Sequence, residues 1–234
     1  MRISQSRFLK YFSSVHPLIN IASACSLFFS LCYEFWLNRL PETFSWGAEL
    51  THILSQVSIA IFSSYIFYLI VVKKKEVDDW ENIKPTVALW VLRITSKHRR
   101  QLEGLEESSG LNIDQHRLDS IMQAFKLVSP REQCKLRISS KDGSYFNWYT
   151  SLIYDQDELE EIIDKLFNIA PFLDSELIAI LNSLAGLEVK LLLKLLDNNL
   201  KQEDNLTCIA GAFFGYSKSC EKLNDYRLKH LDIF

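Results

Sequence analysis

The sequence predicts an all-α membrane protein, in which a two-helix transmembrane hairpin is followed by a cytoplasmic helical bundle of about six helices. Three observations lead to this prediction. Apolar residues are concentrated in two blocks before position 73, and nearly all charged residues lie after it. Helical spacing of apolar side chains then continues through most of the remaining chain. Basic residues flank the two blocks unequally, and this inequality predicts the orientation in the membrane.

We divide the chain into four parts. Residues 1–16 are predicted to be a cytoplasmic N-terminal segment, residues 17–72 the transmembrane hairpin, residues 73–84 a charged juxtamembrane connector, and residues 85–234 the cytoplasmic helical domain. The average composition, with 48% hydrophobic residues and a net charge of -3, hides this division. Such an asymmetry of charge along a chain is typical of a membrane anchor joined to a water-soluble domain.

Two segments are predicted to cross the bilayer. Pro17–Leu37 has Glu34 as its only formal charge, and as a helix it is roughly 31 Å long, which matches the hydrocarbon thickness of a bilayer. Leu50–Val72 carries no formal charge and ends at three consecutive lysines. The lysines suit a position among lipid headgroups at the membrane surface.

The distribution of basic residues predicts that both termini are cytoplasmic. Arg2, Arg7 and Lys10 precede the first span, whereas the loop between the spans offers only Arg39. Cytoplasmic segments carry the excess of Lys and Arg, so the protein is predicted to be a multi-pass protein of the cell inner membrane. A cleavable signal peptide over residues 1–32 is an alternative, but its apolar run is too long and the second span would still anchor the product.

The residues after the connector predict helices with one exception. A helix starts at Pro85 and runs to about Glu107, and a second covers Asp114–Val128. Cys134–Ile138 is a plausible extended segment, although no partner strand is apparent. From Ser144 onward the apolar spacing is helical.

Four further helices are predicted in this second half. The first has an apolar stripe at Leu152, Leu159, Ile163 and Leu166, with a dense acidic run on its solvated side. The next is capped by Asp174 or Ser175, and it is followed by helices over Leu187–Leu200 and from near Asn205 to His230.

Small and weakly polar residues recur every four positions in both spans. In lipid, such stripes let two helix backbones approach closely, and polar side chains join the helices by hydrogen bonds. The stripes either pack against each other within one hairpin or also build an oligomer. Their members are Ala22, Ser26 and Ser30 in the first span and Gln56, Ala60 and Ser64 in the second.

Basic side chains are predicted to form a face for lipid headgroups, an acidic partner or a nucleic-acid backbone. They are Lys73, Lys74, Lys75, Arg93, Lys97, Arg99 and Arg100. Arg93 of this set and the nearby His98 also have the R-x4-H spacing of HEPN ribonucleases. That resemblance implies a composite site of two chains in which the histidine acts in RNA cleavage.

No catalytic, cofactor-binding or metal-binding residue is predicted, and no small-molecule substrate is evident. The five cysteines are odd in number and have no CxxC spacing, so free thiols in a reducing compartment are favoured. The acidic run between Asp155 and Asp164 lacks matched histidines and is interpreted as a solvated helix face. Seven glycines leave little room for a phosphate-binding loop.

Three stretches carry a resemblance to uncharacterised bacterial two-span inner-membrane proteins: Ile66–Val72 at the inner end of the second span, Trp148 ahead of the acidic helix, and Phe172–Leu177. In architecture the chain is similar to membrane effectors of anti-phage defence systems, including those of retrons. This resemblance implies a homo-oligomer that permeabilises the membrane on release from a regulatory protein or ribonucleoprotein. The alternatives are a membrane-tethered binding scaffold with inert spans and, third, a membrane-bound ribonuclease.

Overall fold

The computed structural model describes residues 11–36, 46–138, 145–186, 189–199 and 205–231, with the backbone alone at 135–138 and 196–199. These residues are mostly helical, which confirms the all-α character predicted from the sequence. The chain divides into two compact units, Met1–Asn82 and Ile83–Phe234.

The first unit contains the two apolar helices. Helix α1 is Pro17–Phe35 and helix α2 is Gly47–Phe67. A π-helical turn, Tyr68–Lys73, follows α2 directly and leads into the long helix α3, Lys74–Ser109. Pro17 occupies the first position of α1, where a backbone N–H would have no partner within the helix, so proline loses no hydrogen bond there. Leu37, the predicted end of the first span, lies outside the described residues.

Helices α1 and α2 pack against each other with opposite directions. Asn20 near the start of α1 contacts Tyr65 near the end of α2, and Tyr33 near the end of α1 contacts His52 near the start of α2. The mean hydropathy is 1.5 for α1 and 1.8 for the most apolar window of the helix that begins at Gly47. Both helices are therefore long and apolar enough to cross a membrane.

The predicted connector is helical, so the helix start predicted at Pro85 is wrong. Residues 76–84 lie inside α3, and Pro85 lies within the helix, not in its first turn. A proline inside a helix leaves the carbonyl four residues earlier without its usual N–H partner. Pro85 lies on an exposed position of α3.

The second unit contains α3 from Ile83 onward and, among the described residues, five more helices. They are α4 (Leu118–Leu127), α5 (Trp148–Phe167), α6 (Ser175–Ala185), α7 (Val189–Asn199) and α8 (Ala210–His230). Short 3₁₀ turns, Ala170–Phe172 and Thr207–Ile209, precede α6 and α8. Helix α8 packs against α4 and α6, and α5 packs against α6 and α7.

The core of this unit is built from large apolar side chains of several helices. Phe125 of α4 meets Phe213 of α8 edge to face, with ring centroids 5.1 Å apart. Trp148, at the first position of α5, is almost wholly buried, and its indole N–H donates to Ser108 Oγ at 3.2 Å. Burial of such side chains supplies the main driving force for folding of the unit.

A small antiparallel sheet supplies the strand partner that the sequence did not reveal. Strand β1, Gln133–Ile138, pairs with β2, Tyr145–Asn147. The helical pattern predicted from Ser144 thus begins only at Trp148. Asn147 ends β2 and caps α5, because its Oδ1 accepts a hydrogen bond from the Thr150 amide at 2.8 Å.

Two helix starts show how local polar groups decide a boundary. Asp174 caps α6, as predicted, by accepting from the Leu177 amide at 2.8 Å. Asp114 was predicted to open a helix, but its Oδ1 accepts from the amide of His116, only two residues ahead, at 2.9 Å. That contact forms a turn, so α4 begins later, at Leu118.

Candidate functional site

The contact line between α1 and α2 passes through residues next to the predicted small-residue stripes. Ser23 and Ser55 are buried between the helices, as is the ring of Tyr65. The predicted residues Ser26 and Ser30 are half-buried, and each hydroxyl donates to a carbonyl of its own helix four residues earlier, at 2.9 and 3.0 Å. They lie beside the contact line but do not bond across it.

The other four predicted packing residues, Ala22, Gln56, Ala60 and Ser64, are exposed in the described chain. These four side chains are not buried at the contact line of the described hairpin, and packing through the two stripes stays a prediction. Residues spaced by four positions drift around an α-helix by about 40° per step, because one turn holds 3.6 residues. A contact line between two helices instead follows alternating spacings of three and four, as Ser55, Ser58, Phe62 and Tyr65 do.

A groove runs along one exposed face of the helix pair. Its volume is about 740 Å³, and Ala22, Ala60 and Ser64 contribute small side chains to its walls. Leu18, Val57 and other apolar side chains complete the lining. Three of the six predicted residues therefore lie together on a surface that the described residues leave uncovered.

Polar side chains join α1 and α2 at both ends of the pair. The Tyr65 hydroxyl donates to Asn20 Oδ1 at 2.5 Å, and Asn20 Nδ2 donates to the Phe12 carbonyl at 3.1 Å. At the other end, Gln56 Nε2 and His52 Nε2 lie 3.0 Å apart, and His52 Nδ1 lies 3.4 Å from the Tyr33 hydroxyl. Sequence reasoning singled out Gln56 but missed His52, although their spacing of four in an apolar helix was a visible signal.

Two residues of the predicted basic face, Arg93 and Lys97, form ion pairs inside the second unit. Lys97 of α3 pairs with Glu158 and lies 3.3 Å from Asp155, both on α5, and Arg93 pairs with Glu158 as well. Asp155 also accepts from Gln101 Nε2 at 2.8 Å. Arg93 and Lys97 therefore join α3 to α5, and Lys97 is mostly buried by this contact whereas Arg93 is still exposed.

Electrostatics within this cluster favour the charged carboxylate. Burial alone would raise the pKa of Glu158, but hydrogen bonds and charges from Lys97 and Arg93 outweigh it and hold that pKa below its usual range. The acidic run of α5 is consequently not one solvated face. Asp155 is buried and Glu158 half-buried, whereas Asp157, Glu160, Glu161 and Asp164 are exposed.

The Arg93 and His98 side chains point to different helices. Arg93 reaches α5, whereas His98 is buried against α8 with its Nε2 2.8 Å from Ser217 Oγ. The ring of His98 also packs edge to face on Tyr216, with centroids 5.3 Å apart. Burial lowers the pKa of His98 to about 4, so its ring is neutral at physiological pH. Within one chain, Arg93 and His98 therefore do not lie together, and a composite site of two chains stays a prediction.

The remaining predicted cations are either exposed or paired with a neighbour on the same helical segment. Lys74, Lys75 and Arg100 are exposed, and Arg99 lies 3.4 Å from Glu103 on its own helix. Lys73 donates to Glu76 at 2.6 Å. Exposed pairs of this type contribute little free energy, so these side chains stay available for an anionic surface.

All five cysteines are free thiols, and burial raises the pKa of Cys220 to about 12. Within the part of the chain that the structure describes, no three His, Cys, Asp or Glu side chains converge as a metal site requires. No protein-family model, curated protein or solved structure matches this chain.

Proposed function

We propose that the protein is an inner-membrane effector of a bacterial anti-phage (abortive-infection) system. In this proposal α1 and α2 form a transmembrane hairpin, the hairpins of several copies associate, and the assembly perturbs or permeabilises the membrane. A regulatory protein or ribonucleoprotein bound to the cytoplasmic helical domain holds the effector silent until it is released.

The observation that carries the proposal is the uncovered apolar surface of α1 and α2. In the most apolar window of α1, only 6% of the residues are buried. In the corresponding window of the helix that begins at Gly47, only 17% are buried. Large exposed side chains such as Leu18, Phe28 and Ile61 make up this surface. A surface of this extent is stable in water only if something covers it, and lipid covers it without any protein partner.

Two features support association of the hairpins beyond simple anchoring. The groove lined by Ala22, Ala60 and Ser64 allows a close approach of another helix. The exposed amide of Gln56 and ring of His52 lie in the middle part of a mostly apolar helix, where contact of polar groups with lipid is costly. A second copy placed against these side chains would remove them from lipid, and several copies would line a polar path.

The membrane orientation is part of the proposal. The basic residues before α1 and the lysines after α2 support cytoplasmic termini. A reporter enzyme fused after Phe234 should be active only in the cytoplasm. A reporter that is active outside the inner membrane would rule out this orientation.

The direct test replaces residues 17–72 with an unrelated two-span anchor. Induced expression of the natural chain should depolarise cells loaded with a membrane-potential dye, whereas the chimera should not. Equal depolarisation by both proteins would contradict the proposal, because the activity would then lie outside the hairpin.

A matched pair of point variants sharpens this test. Ser64→Leu fills the groove, whereas Ser63→Leu makes the same change at the neighbouring exposed position outside the groove lining. We expect Ser64→Leu to reduce depolarisation and crosslinked oligomers, and Ser63→Leu to leave both unchanged. Equal effects of the two variants would argue against association through the groove.

The membrane-tethered binding scaffold is the second candidate, and the separate core of the second unit favours it. Ile83–Phe234 forms a compact unit by itself, so it is suited to bind a partner whatever the spans do. In that case the chimera with foreign spans keeps all partner binding and the natural chain does not depolarise cells.

A further inference from the structure

A pocket of about 330 Å³ lies in the second unit between α3, the segment before α4, and α8. Polar side chains enter it from all three elements. They include Thr95, His98 and Arg99 from α3, Gln115 from the segment before α4, and Asn224 and Arg227 from α8. A pocket of this volume, with polar groups converging from separate elements, has the size and character of a site for a small molecule.

The two arginines give the pocket an excess of positive charge. Arg99 is 77% exposed and pairs with Glu103, its neighbour one helical turn away, at 3.4 Å. Arg227 bonds through Nε and Nη2 to the neutral Asn224 Oδ1, at 3.4 and 3.2 Å. Among the residues that the structure describes, Arg227 pairs with no carboxylate. Glu221 also lines the pocket, and its carboxylate lies 3.5 Å from His116 Nδ1.

These contacts leave both guanidinium groups able to accept a new anionic partner. An exposed arginine–glutamate pair within one helix contributes only a few tenths of a kcal/mol, so an incoming anion can compete with Glu103 for Arg99. Arg227 is held in place by Asn224, and its hydrogen bond to a neutral amide does not cancel its charge. Guanidinium groups bind carboxylate and phosphate oxygens through paired N–H donors.

One buried side chain of the pocket lining, His98, is uncharged. His98 has 6% of its surface exposed and is fixed by Ser217, 2.8 Å from its Nε2, and by the ring of Tyr216. Its neutral imidazole adds no charge that would attract or repel the ligand. Selectivity for charge therefore comes from Arg99 and Arg227 at the wall.

We propose that this pocket binds a small oxyanion ligand, a molecule of metabolite size whose phosphate or carboxylate group contacts Arg99 and Arg227, while Asn224 and Gln115 contact its neutral part. This site goes beyond the effector function proposed above, which requires only a macromolecular partner. It offers the helical domain a chemical signal that is independent of the membrane.

The test measures thermal unfolding of the full chain in detergent while a probe anion is titrated at constant ionic strength with chloride as the reference ion. The probes are inorganic phosphate, pyrophosphate and citrate. We expect a saturable rise of the melting temperature with at least one of them. A rise with phosphate or pyrophosphate alone assigns the site to phosphate, and a rise with citrate alone assigns it to carboxylate.

Three variants locate the binding. Arg99→Gln and Arg227→Gln should each weaken the apparent Kd about tenfold or more, because each removes a charged hydrogen-bond donor. Arg100→Gln, a neighbouring exposed arginine outside the pocket lining, should leave the Kd unchanged. The circular dichroism of each variant shows whether it is folded, and Arg99→Gln keeps the test valid if Arg227→Gln is not.

Absence of a saturable rise with every probe would overturn the proposal. The same conclusion follows if Arg99→Gln and Arg227→Gln bind as tightly as the natural chain. Neither result bears on depolarisation by the hairpin, so failure of this site and failure of the effector proposal are distinguishable.

Discussion

The hydroxyl of Tyr65 in α2 donates a hydrogen bond to Oδ1 of Asn20 in α1 at 2.5 Å. The two residues are 45 positions apart, and Asn20 is fixed in turn by its bond to the Phe12 carbonyl. Tyr65 also forms a small core with Val15 and Leu69. This contact fixes the register of the two helices at the end that we place on the cytoplasmic side.

Removal of this hydrogen bond should weaken the helix pair. We expect Tyr65→Phe to lower the free energy of unfolding in mixed micelles by about 1 kcal/mol, since interhelical hydrogen bonds in membranes have this magnitude. Asn20→Leu and the double variant complete a cycle that isolates the pairwise energy. Strict additivity of the two single variants would show that the contact contributes nothing.

Lys97 should be the most sensitive cation of the second unit. Lys97→Met keeps the aliphatic stem but leaves Asp155 and Glu158 partly buried with less compensation, so we expect a loss of about 3 kcal/mol in unfolding free energy. Chemical denaturation of the full chain in detergent measures it. Lys126→Met, on an exposed position of α4, is the matched control and should change stability by less than about 0.5 kcal/mol. Similar losses for the two variants would refute an internal role for Lys97.

His98 should make the second unit sensitive to mild acid. Burial depresses its pKa to about 4 in the folded chain from the usual 6.5, so the unfolded chain binds the proton more readily. The contribution of His98 to the free energy of unfolding is fully present above pH 6.5 and is lost as the pH falls toward 4. The total loss is about 3 kcal/mol.

The measurement compares the natural chain with His98→Gln, which offers an uncharged hydrogen-bonding group to Ser217. The difference in unfolding free energy between the two proteins should shrink as the pH falls through this window. A difference that stays constant from neutral pH to pH 4 would mean that His98 is not buried as described.

Asp174 joins two helices of the second unit. One carboxylate oxygen caps α6 at the Leu177 amide, and the other accepts from the Tyr226 hydroxyl of α8 at 2.6 Å. We expect Asp174→Ala to cost about 2 kcal/mol, from loss of the cap and of the tyrosine bond together. Thermal or urea unfolding checks this value. Asp174→Asn retains a capping oxygen and should lose less, so equal losses for both changes would exclude the capping role.

The features that depend on residues close together along the chain were predicted well from the sequence. The lengths of α1 and α2, the cap at Asp174 and the apolar stripe from Leu152 to Leu166 all arise from spacings within one helix. The signal for each is contained in a stretch of about twenty consecutive residues, which is close to the range over which periodicity works.

Features that depend on distant partners were not predictable in the same way. Lys97 looks like one member of a basic stripe until α5 brings Glu158, 61 positions later, into contact with it. The strand Cys134–Ile138 lacked a partner because β2 has only three residues, too few for a recognisable alternation. The face that each apolar helix buries depends on the contact line with its neighbour, and a stripe of small residues does not determine that line.

The central claim is that α1 and α2 lie within a lipid bilayer, and alkaline carbonate extraction of cell membranes tests it most directly. The protein should remain in the membrane pellet after carbonate treatment and enter solution only with detergent, because burial of the apolar surface of both helices in lipid does not depend on ionic contacts. Quantitative release of the full chain into the carbonate supernatant, followed by solubility without detergent, would contradict the account.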